Sequence, residues 1–199
     1  MKVVGFYTKG TPYEAEIGEM VLSAAEHGLE SVAHAFPHPG SWRRAALLLP
    51  QAISKERNRS PTEIILYLDA DARVMQRPVL PVDDYDVGLY YLTDSPRSRF
   101  AGGEELCTGT CVWWPTSAAN ELLETWAAEC AKPDSDKVFG LDQEILQGLV
   151  AVRPSLRVWR LPHEWCWMDT ISPMHFGRCE PVIFHGQASR RYRHLVSTP

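Results

Sequence analysis

The sequence predicts an α/β protein with a mixed, mostly parallel sheet flanked by helices. Strand-forming apolar segments alternate with segments whose apolar residues recur at helical spacing, and this β-α-β-α-β order is typical of parallel sheets with right-handed crossovers. The third strand segment, TEIILYLDADA, ends on Asp69 and Asp71. In open parallel sheets, ligands bind at the carboxyl ends of the strands, so this end of the sheet is the expected functional face.

The first half of the chain contains the alternating elements. KVVGFYT is a predicted buried strand, YEAEIGEMVLSAAEHGLE a helix that ends at a glycine, and SVAHAFPH a second strand. GSWRRAALLLPQAISKERN is a helix with Ser41 as its N-cap, which Pro50 should break or kink. After the strand TEIILYLDADA, DVGLYYLT is predicted as the next strand.

The second half predicts fewer and shorter elements. Residues 94–106 are polar and glycine-rich and indicate a loop. CTGTCVWWP is a short strand, TSAANELLETWAAECA a helix capped by Thr116 or Ser117, and LDQEILQGLVAV a shorter helix. LRVWRLPHEWCWM contains a strand and an aromatic cluster, and PVIFHGQASRRYRHL contains a strand followed by an arginine-rich tail.

Length and charge restrict the class of protein. With 199 residues and neither a repeat nor a linker, residues 1–199 are predicted to form one domain. The net charge of -5 gives no overall basic field for nucleic acid or anionic lipid. No apolar run could span a bilayer, and the N-terminal residues lack a signal-peptide core, so we expect a cytoplasmic protein. Its five cysteines are expected to be reduced thiols.

Asp69 and Asp71 are the strongest chemical signal. Residues two apart in an extended strand point to the same side, so both carboxylates should face one ligand. Carboxylate oxygens suit Mg²⁺ or Mn²⁺, and either ion could neutralise a diphosphate. The alternative is that the two aspartates cap a turn.

Four segments in order, YLDADARV, CTGTCVWW, GLDQEIL and VIFHGQASRR, resemble the nucleotide-sugar transferases of the GT-A fold. The resemblance spans roughly residues 1–193 and is greatest to the glycogenin-like and galactosyltransferase-like group. It implies a Rossmann-like GT-A domain that transfers a sugar from a nucleoside-diphosphate donor. The implied cofactor is Mn²⁺ or Mg²⁺, held by Asp69, Asp71 and His185. For His185 the alternative is a hydrogen-bonded histidine at a strand end.

The resemblance also implies a donor site. Its residues are Phe6, Tyr7, Thr8, Tyr13, Arg43, Asp69, Ala70, Thr108, Gly109, Gly186, Arg190 and Arg191. Tyr13 could instead pack as an ordinary helix residue. Arg43 and Arg44 diverge by about 100° on a helix, so one of them should face solvent. The family ending HxxGxxKPW is absent here, which leaves open whether Arg190 or Arg191 binds the phosphates.

Asp142 and Gln143 match the catalytic segment and should open a helix. The structural alternative for Asp142 is an N-cap.

The resemblance favours a retaining hexosyltransferase with a UDP-sugar donor. The acceptor stays open between a glycan, a small molecule, and a hydroxymethylated base in phage-type DNA, for which arginines at 97, 99, 190, 191 and 193 could form a basic rim. Trp159, Trp165 and Trp167 could stack on an acceptor or pack in the core.

Two other functions remain as alternatives. A sugar-phosphate nucleotidyltransferase also uses aspartates on a nucleotide-binding sheet, but its glycine-rich start is missing from GFYTKGTP. A non-catalytic module that binds nucleotide sugars or nucleic acid would use the same binding residues without turnover.

Overall fold

The computed structural model describes residues 1–93, 103–133, 141–192 and 194, and strands and helices alternate through its first part. Its strands are β1 (Lys2–Thr8), β2 (Glu30–Phe36), β3 (Ile65–Leu68), β4 (Ala72–Val74), β5 (Val87–Leu92), β6 (Glu105–Trp113), β7 (Val158–Arg160), β8 (Trp167–Met168) and β9 (Ile183–His185). Its helices are α1 (Tyr13–Glu26), α2 (Trp42–Ala46), α3 (Leu49–Arg59), α4 (Ser117–Cys130), α5 (Asp142–Ala151), α6 (Ser172–Phe176) and α7 (Ala188–Tyr192), with a 3₁₀ turn at His163–Cys166.

The central sheet has the strand order β2-β1-β3-β6-β5-β7. β1 pairs in parallel with β2 and β3, and β5 pairs in parallel with β7, whereas β6 runs antiparallel to β3 and β5. Three of these five pairings are parallel, which confirms the predicted mixed, mostly parallel sheet. A second sheet, β4-β9-β8, carries the chain from the Asp69–Asp71 segment to the C-terminal residues.

Side chains alternate between the two faces of the central sheet. Val3 and Leu66 face the core cluster that contains α1, while Val4 and Ile65 face the cluster that contains α3 and α4. This alternation follows from the period of two in a strand. In the second cluster Trp113 and Trp126 stack with their ring centroids 5.7 Å apart. The sheet is thus covered on both faces, and its ligand-accessible region lies at the strand ends.

Pro50 interrupts the helical segment, as predicted. α2 ends at Ala46 and α3 begins at Leu49, which places Pro50 in the first turn of α3, where a missing N–H is tolerated. The Ser41 side chain caps α2 by accepting a hydrogen bond from the Arg44 backbone N–H at 3.2 Å. The break turns α2 toward the carboxyl end of β1.

The loop predicted at 94–106 extends too far at its C-terminal end. Glu105 and Leu106 pair with Leu92 and Tyr91, so they belong to β6. The backbone pairing of a central strand outweighs the polar sequence here. Residues 94–102 lie outside the described ranges. Within those ranges, no helix has the length and apolar character needed to cross a membrane.

Candidate active site

An open cleft of about 1210 Å³ lies at the carboxyl ends of β1 and β3. Most of the predicted site residues line it. From the predicted sets these are Phe6, Tyr7, Thr8, Tyr13, Arg43, Asp69, Ala70, Asp71, Thr108, Gly109, Asp142, Gln143, His185 and Arg190. Residues far apart in sequence therefore meet in one cleft.

Three potential metal ligands meet at the floor of the cleft. Asp69, Asp71 and His185 each offer a ligand atom, and these atoms lie within 4.8 Å of one another. The Oδ1 atom of Asp71 is 3.7 Å from Nδ1 of His185. Two carboxylates and an imidazole are a donor set that Mn²⁺ accepts, and carboxylates also suit Mg²⁺. The residues present therefore fit a divalent cation.

Neighbouring groups fix the orientation of these ligands. Nε2 of His185 is 2.8 Å from the Thr110 hydroxyl, so a neutral ring that donates from Nε2 would present its Nδ1 lone pair to a cation held by the carboxylates. The Tyr67 hydroxyl donates to Oδ1 of Asp69 at 2.8 Å. A Cβ atom on Gly109 would lie 3.1 Å from Cε1 of His185 and 3.2 Å from Oδ2 of Asp69. The glycine thus keeps space open beside two of the ligands.

The two carboxylates ionise differently. Burial and the neighbouring charge of Asp71 raise the pKa of Asp69 above its ordinary value. Burial also opposes ionisation of Asp71, but the nearby His185 ring and the Ala188 N–H outweigh it and lower the pKa of Asp71. A carboxylate pair strained by like charge is what a cation would stabilise.

The path of the backbone at this pair differs from the prediction. β3 ends at Leu68, and residues 69–71 form a turn in which the Ala72 N–H donates to the Asp69 carbonyl at 3.0 Å. The carboxylates do not converge by the alternation of an extended strand. They converge because the turn passes between β3 and β4, and β4 pairs with β9, which carries His185. The two aspartates therefore lie in a turn, as the alternative interpretation expected, and they also form the cluster with His185.

Asp142 and Gln143 open α5, as predicted, and Leu141 holds the N-cap position. The buried Asp142 carboxylate accepts a hydrogen bond from the Thr108 hydroxyl at 2.7 Å, and burial raises its pKa to about 7. Gln143 donates from Nε2 to Oε1 of Glu105 at 3.0 Å. The site therefore contains an acid whose protonation changes near neutral pH.

One wall of the cleft carries the predicted donor residues of β1, α1 and α2. Phe6 stacks near Tyr67 with ring centroids 6.4 Å apart. Tyr13 meets Tyr192 edge to face at 6.1 Å, and burial raises the pKa of its hydroxyl to about 12. Arg43 and Arg44 are both exposed, but only Arg43 lines the cleft. Aromatic and cationic groups thus share the wall expected for the nucleotide.

The two tail arginines diverge. Arg190 lines the cleft and donates from Nη1 to the Thr170 hydroxyl at 2.8 Å. Arg191 lies outside the lining and pairs with Glu16 at 2.8 Å. Gly186 also lies outside the lining, where its N–H donates to the Asp71 carbonyl at 3.2 Å. Of the two arginines, Arg190 is the one placed to meet a ligand in the cleft.

Sequence reasoning missed several residues that support the site. Tyr67, Thr110 and Gln187 lie within the four motif segments, but no signal in the sequence assigned them a role there, and Thr170 lies outside those segments. Trp159 and Trp165 pack edge to face with centroids 4.9 Å apart, and Trp165 and Trp167 are buried. None of these three tryptophans lines the cleft, which favours the core-packing alternative.

Several solved structures share this fold. The chain aligns with a glycosyltransferase involved in the glycosylation of the major capsid of PBCV-1, with a TM-score of 0.70, 16% identity and 96% of both chains covered. It aligns with the galactosyltransferase LgtC in complex with donor and acceptor sugar analogues, with a TM-score of 0.59, 16% identity, and 94% of this chain and 88% of that chain covered. For mouse xyloside xylosyltransferase 1 the TM-score is 0.54 at 12% identity, with 94% and 98% covered.

No protein-family model matches the chain, and no curated protein matches it in sequence. At 12–16% identity, the structural likeness establishes the fold, which is the Rossmann-like GT-A type shared by these glycosyltransferases.

Proposed function

We propose that this protein is a metal-dependent glycosyltransferase that moves a sugar from a nucleoside-diphosphate donor, a UDP-sugar, to an acceptor hydroxyl. One observation carries the proposal. Asp69, Asp71 and His185 converge in a cleft that Arg190 also lines, in a fold that glycosyltransferases share. Fold alone would not assign a reaction, whereas this set of groups matches the chemistry of a departing diphosphate.

The donor would lie between the β1 wall and the metal cluster. Phe6, Tyr7 and Thr8 would hold the nucleotide, and Arg190 would donate hydrogen bonds to the diphosphate. When bound, Mn²⁺ or Mg²⁺ would neutralise the charge that builds on the diphosphate as it leaves. Arg190 would stabilise the same charge from a second direction.

Asp142 and Gln143 would face the sugar. A buried carboxyl with a pKa near 7 can stabilise positive character at the anomeric carbon when ionised, or accept a proton from the acceptor hydroxyl. Thr108 would keep Asp142 oriented through its 2.7 Å hydrogen bond. We propose retention of the anomeric configuration, and the coupling constant of the product's anomeric proton in NMR distinguishes retention from inversion.

The acceptor side of the cleft has a different character. Other residues of the cleft lining include the acidic Glu105 and Glu144 and the apolar Ile171 and Met174, and we assign these four to the acceptor. Ionised carboxylates only accept hydrogen bonds, so they suit hydroxyl groups and repel phosphates. We therefore propose a hydroxyl-rich acceptor such as a glycan rather than modified DNA. Three arginines of the basic rim expected for DNA, at 97, 99 and 193, lie outside the described ranges.

The donor hypothesis is tested by measuring the melting temperature with a panel of nucleotide sugars, each with and without Mn²⁺. Binding at 100 times Kd stabilises by about 2.7 kcal/mol, which is a shift of about 5 °C or more for a domain of this size. We expect one UDP-sugar to give this shift only with Mn²⁺. If no nucleotide sugar shifts the melting temperature, the donor assignment is wrong.

The released product separates the alternatives. A glycosyltransferase incubated with its donor and Mn²⁺ releases UDP, a nucleotidyltransferase produces or consumes pyrophosphate, and a binding module releases neither. Adding oligosaccharides or hydroxymethylated DNA to the same assay then tests the acceptor. We expect acceleration by a saccharide, and a salt-sensitive acceleration by DNA alone would reverse the acceptor assignment.

A further inference from the structure

Gln187 has a backbone conformation that is unusual for its residue type. Its φ of 52° makes it the one non-glycine residue with positive φ in the described part of the chain. For an L-residue with a side chain, this left-handed conformation costs about 1 kcal/mol or more. The residue lies directly between the strand that ends at His185 and the helix α7, and it lines the cleft.

The left-handed turn brings backbone donors onto Asp71. The Gly186 N–H donates to the Asp71 carbonyl at 3.2 Å, and the Ala188 N–H donates to Oδ2 of Asp71 at 2.5 Å. With Oδ2 occupied in this way, Oδ1 is the oxygen that lies 3.7 Å from Nδ1 of His185. The turn therefore sets which carboxylate oxygen faces the metal cluster.

The Gln187 side chain makes a second connection. Its Oε1 atom accepts a hydrogen bond from the Thr170 hydroxyl at 2.5 Å, and that hydroxyl accepts one from Nη1 of Arg190 at 2.8 Å. All three side chains line the cleft. Arg190 is exposed and its long side chain has many rotamers, so this chain of hydrogen bonds restricts where its guanidinium points.

We propose that Gln187 is a positioning residue of the donor site, whose backbone orients Asp71 and whose side chain, through Thr170, orients Arg190. The inference rests on the proposed function, in which Asp71 and Arg190 face the donor diphosphate. It adds a specific arrangement: one residue aligns the metal ligand and the phosphate-binding cation with each other. Gln187 itself need not touch the donor.

The substitution Gln187→Asn separates the two connections. Asparagine adopts the left-handed conformation more readily than glutamine, but its side chain is one methylene too short to keep the Thr170 contact. We expect the metal-free melting temperature to stay the same or rise. Mn²⁺ affinity, measured from the EPR signal of free Mn²⁺, should not change. The Kd for UDP with Mn²⁺, measured by calorimetry, should rise about tenfold.

Gln187→Val tests the backbone connection. A β-branched residue disfavours positive φ, so we expect weaker Mn²⁺ binding and a lower melting temperature as well as weaker UDP binding. Gln51→Asn, the same exchange at an exposed position on α3, is the matched control and should change none of these quantities.

Thr170 tests the chain of hydrogen bonds. Thr170→Val should raise the Kd for UDP about tenfold, and Thr170→Ser, which keeps the hydroxyl, should restore it. In donor hydrolysis, KM should rise while kcat changes little. Because both residues act through Arg190, the double variant Gln187→Asn with Thr170→Val should bind UDP no more weakly than either single variant.

The outcomes separate this inference from the proposed function. If the wild-type protein releases UDP from its donor and Gln187→Asn binds UDP as tightly as wild type, the positioning role is wrong and the proposed function stands. Additive losses in the double variant would also overturn it. If the wild-type protein binds no nucleotide at all, both are wrong.

Discussion

The fold supplies different neighbours to the buried Asp86 carboxylate and to the carboxylate pair Asp69 and Asp71. Both oxygens of Asp86 are engaged. Oδ1 accepts from the Thr116 hydroxyl at 2.8 Å and from Nη2 of Arg157 at 2.9 Å, and Oδ2 accepts from the Arg157 backbone N–H at 2.9 Å. Burial opposes its ionisation, but the hydrogen bonds and charge of Arg157 outweigh it and lower the pKa of Asp86. The counterion of Asp86 is therefore a side chain of the protein itself, Arg157.

At the cleft, the neighbour of the Asp69 carboxylate is a second carboxylate, that of Asp71. Asp69 faces Asp71 and a histidine, and burial together with that like charge raises its pKa. The difference teaches how to separate structural from functional carboxylates. A carboxylate that the chain neutralises stabilises the fold, whereas a pair that the chain leaves in mutual repulsion indicates a ligand from outside. Four substitutions test this distinction.

Asp71→Asn should have the largest effect, on activity. It removes a negative ligand while its amide oxygen can still accept from Ala188, so we expect Mn²⁺-dependent UDP release to fall about 1,000-fold. The substitution removes the repulsion with Asp69 but also weakens the favourable contacts of ionised Asp71 with His185 and Ala188, so the metal-free melting temperature should change little. UDP release is measured by a coupled assay and unfolding by circular dichroism.

The control for Asp71→Asn is Asp83→Asn, the same exchange at an exposed position outside the cleft. It should leave UDP release at the wild-type rate. Undiminished Mn²⁺-dependent release by Asp71→Asn would show that the pair does not hold the metal.

Asp86→Ala should show the opposite pattern, a large effect on stability and little on activity. The substitution leaves the Thr116 hydroxyl and the Arg157 guanidinium without their acceptor, although Arg157 is half exposed and water can partly replace it. We expect a loss of about 3 kcal/mol in the free energy of unfolding in urea. UDP release per folded molecule should stay unchanged. A stable but inactive variant would contradict the distinction.

The sequence predicts those parts of the fold that local patterns determine. The alternation of strands and helices up to Leu92, the break at Pro50 and the start of α5 at Asp142 are all confirmed, because apolar periodicity, proline and helix-start signals act locally. The sequence predicted neither the beginning of β6 at Glu105 nor the second sheet. Both depend on pairing with distant strands, which a polar or short segment does not reveal.

The candidate site shows the same division. The convergence of Asp69, Asp71 and His185 could be predicted because these residues lie in recognisable motifs at strand ends. The groups that orient them could not, since Tyr67, Thr170 and Gln187 act through contacts that exist only in the folded chain. Arg190 and Arg191 are adjacent and identical in sequence, and only the packing of Arg191 against Glu16 separates their roles.

Asp142→Asn tests a third kind of buried carboxylate, one whose pKa the fold raises to near neutrality. Burial raises the pKa of Asp142 from an ordinary 3.8 to about 7. The folded state therefore holds a proton that the unfolded state has lost, so this residue's contribution to stability falls as the pH rises from about 4 to 7. Asparagine resembles the protonated acid and can still accept from Thr108.

We therefore expect Asp142→Asn to be more stable than wild type by about 2 kcal/mol above pH 7.5, with a smaller difference at pH 5. Urea unfolding in metal-free buffer at the two pH values measures this. Parallel pH profiles for the two proteins would mean that Asp142 ionises normally in the fold. Donor turnover should fall sharply in the same variant if Asp142 faces the sugar.

Gly109→Ala should have the smallest effect, confined to the metal cluster. The added Cβ would lie 3.1 Å from Cε1 of His185 and 3.2 Å from Oδ2 of Asp69, so these two side chains must move apart slightly. We expect Mn²⁺ affinity to fall about tenfold with little change in the melting temperature. Gly148→Ala, in α5, is the matched control, because its Cβ meets nothing within 4 Å and should stabilise the helix by about 0.5 kcal/mol. Equal Mn²⁺ affinities in the two variants would mean that the space beside Gly109 does not belong to the metal site.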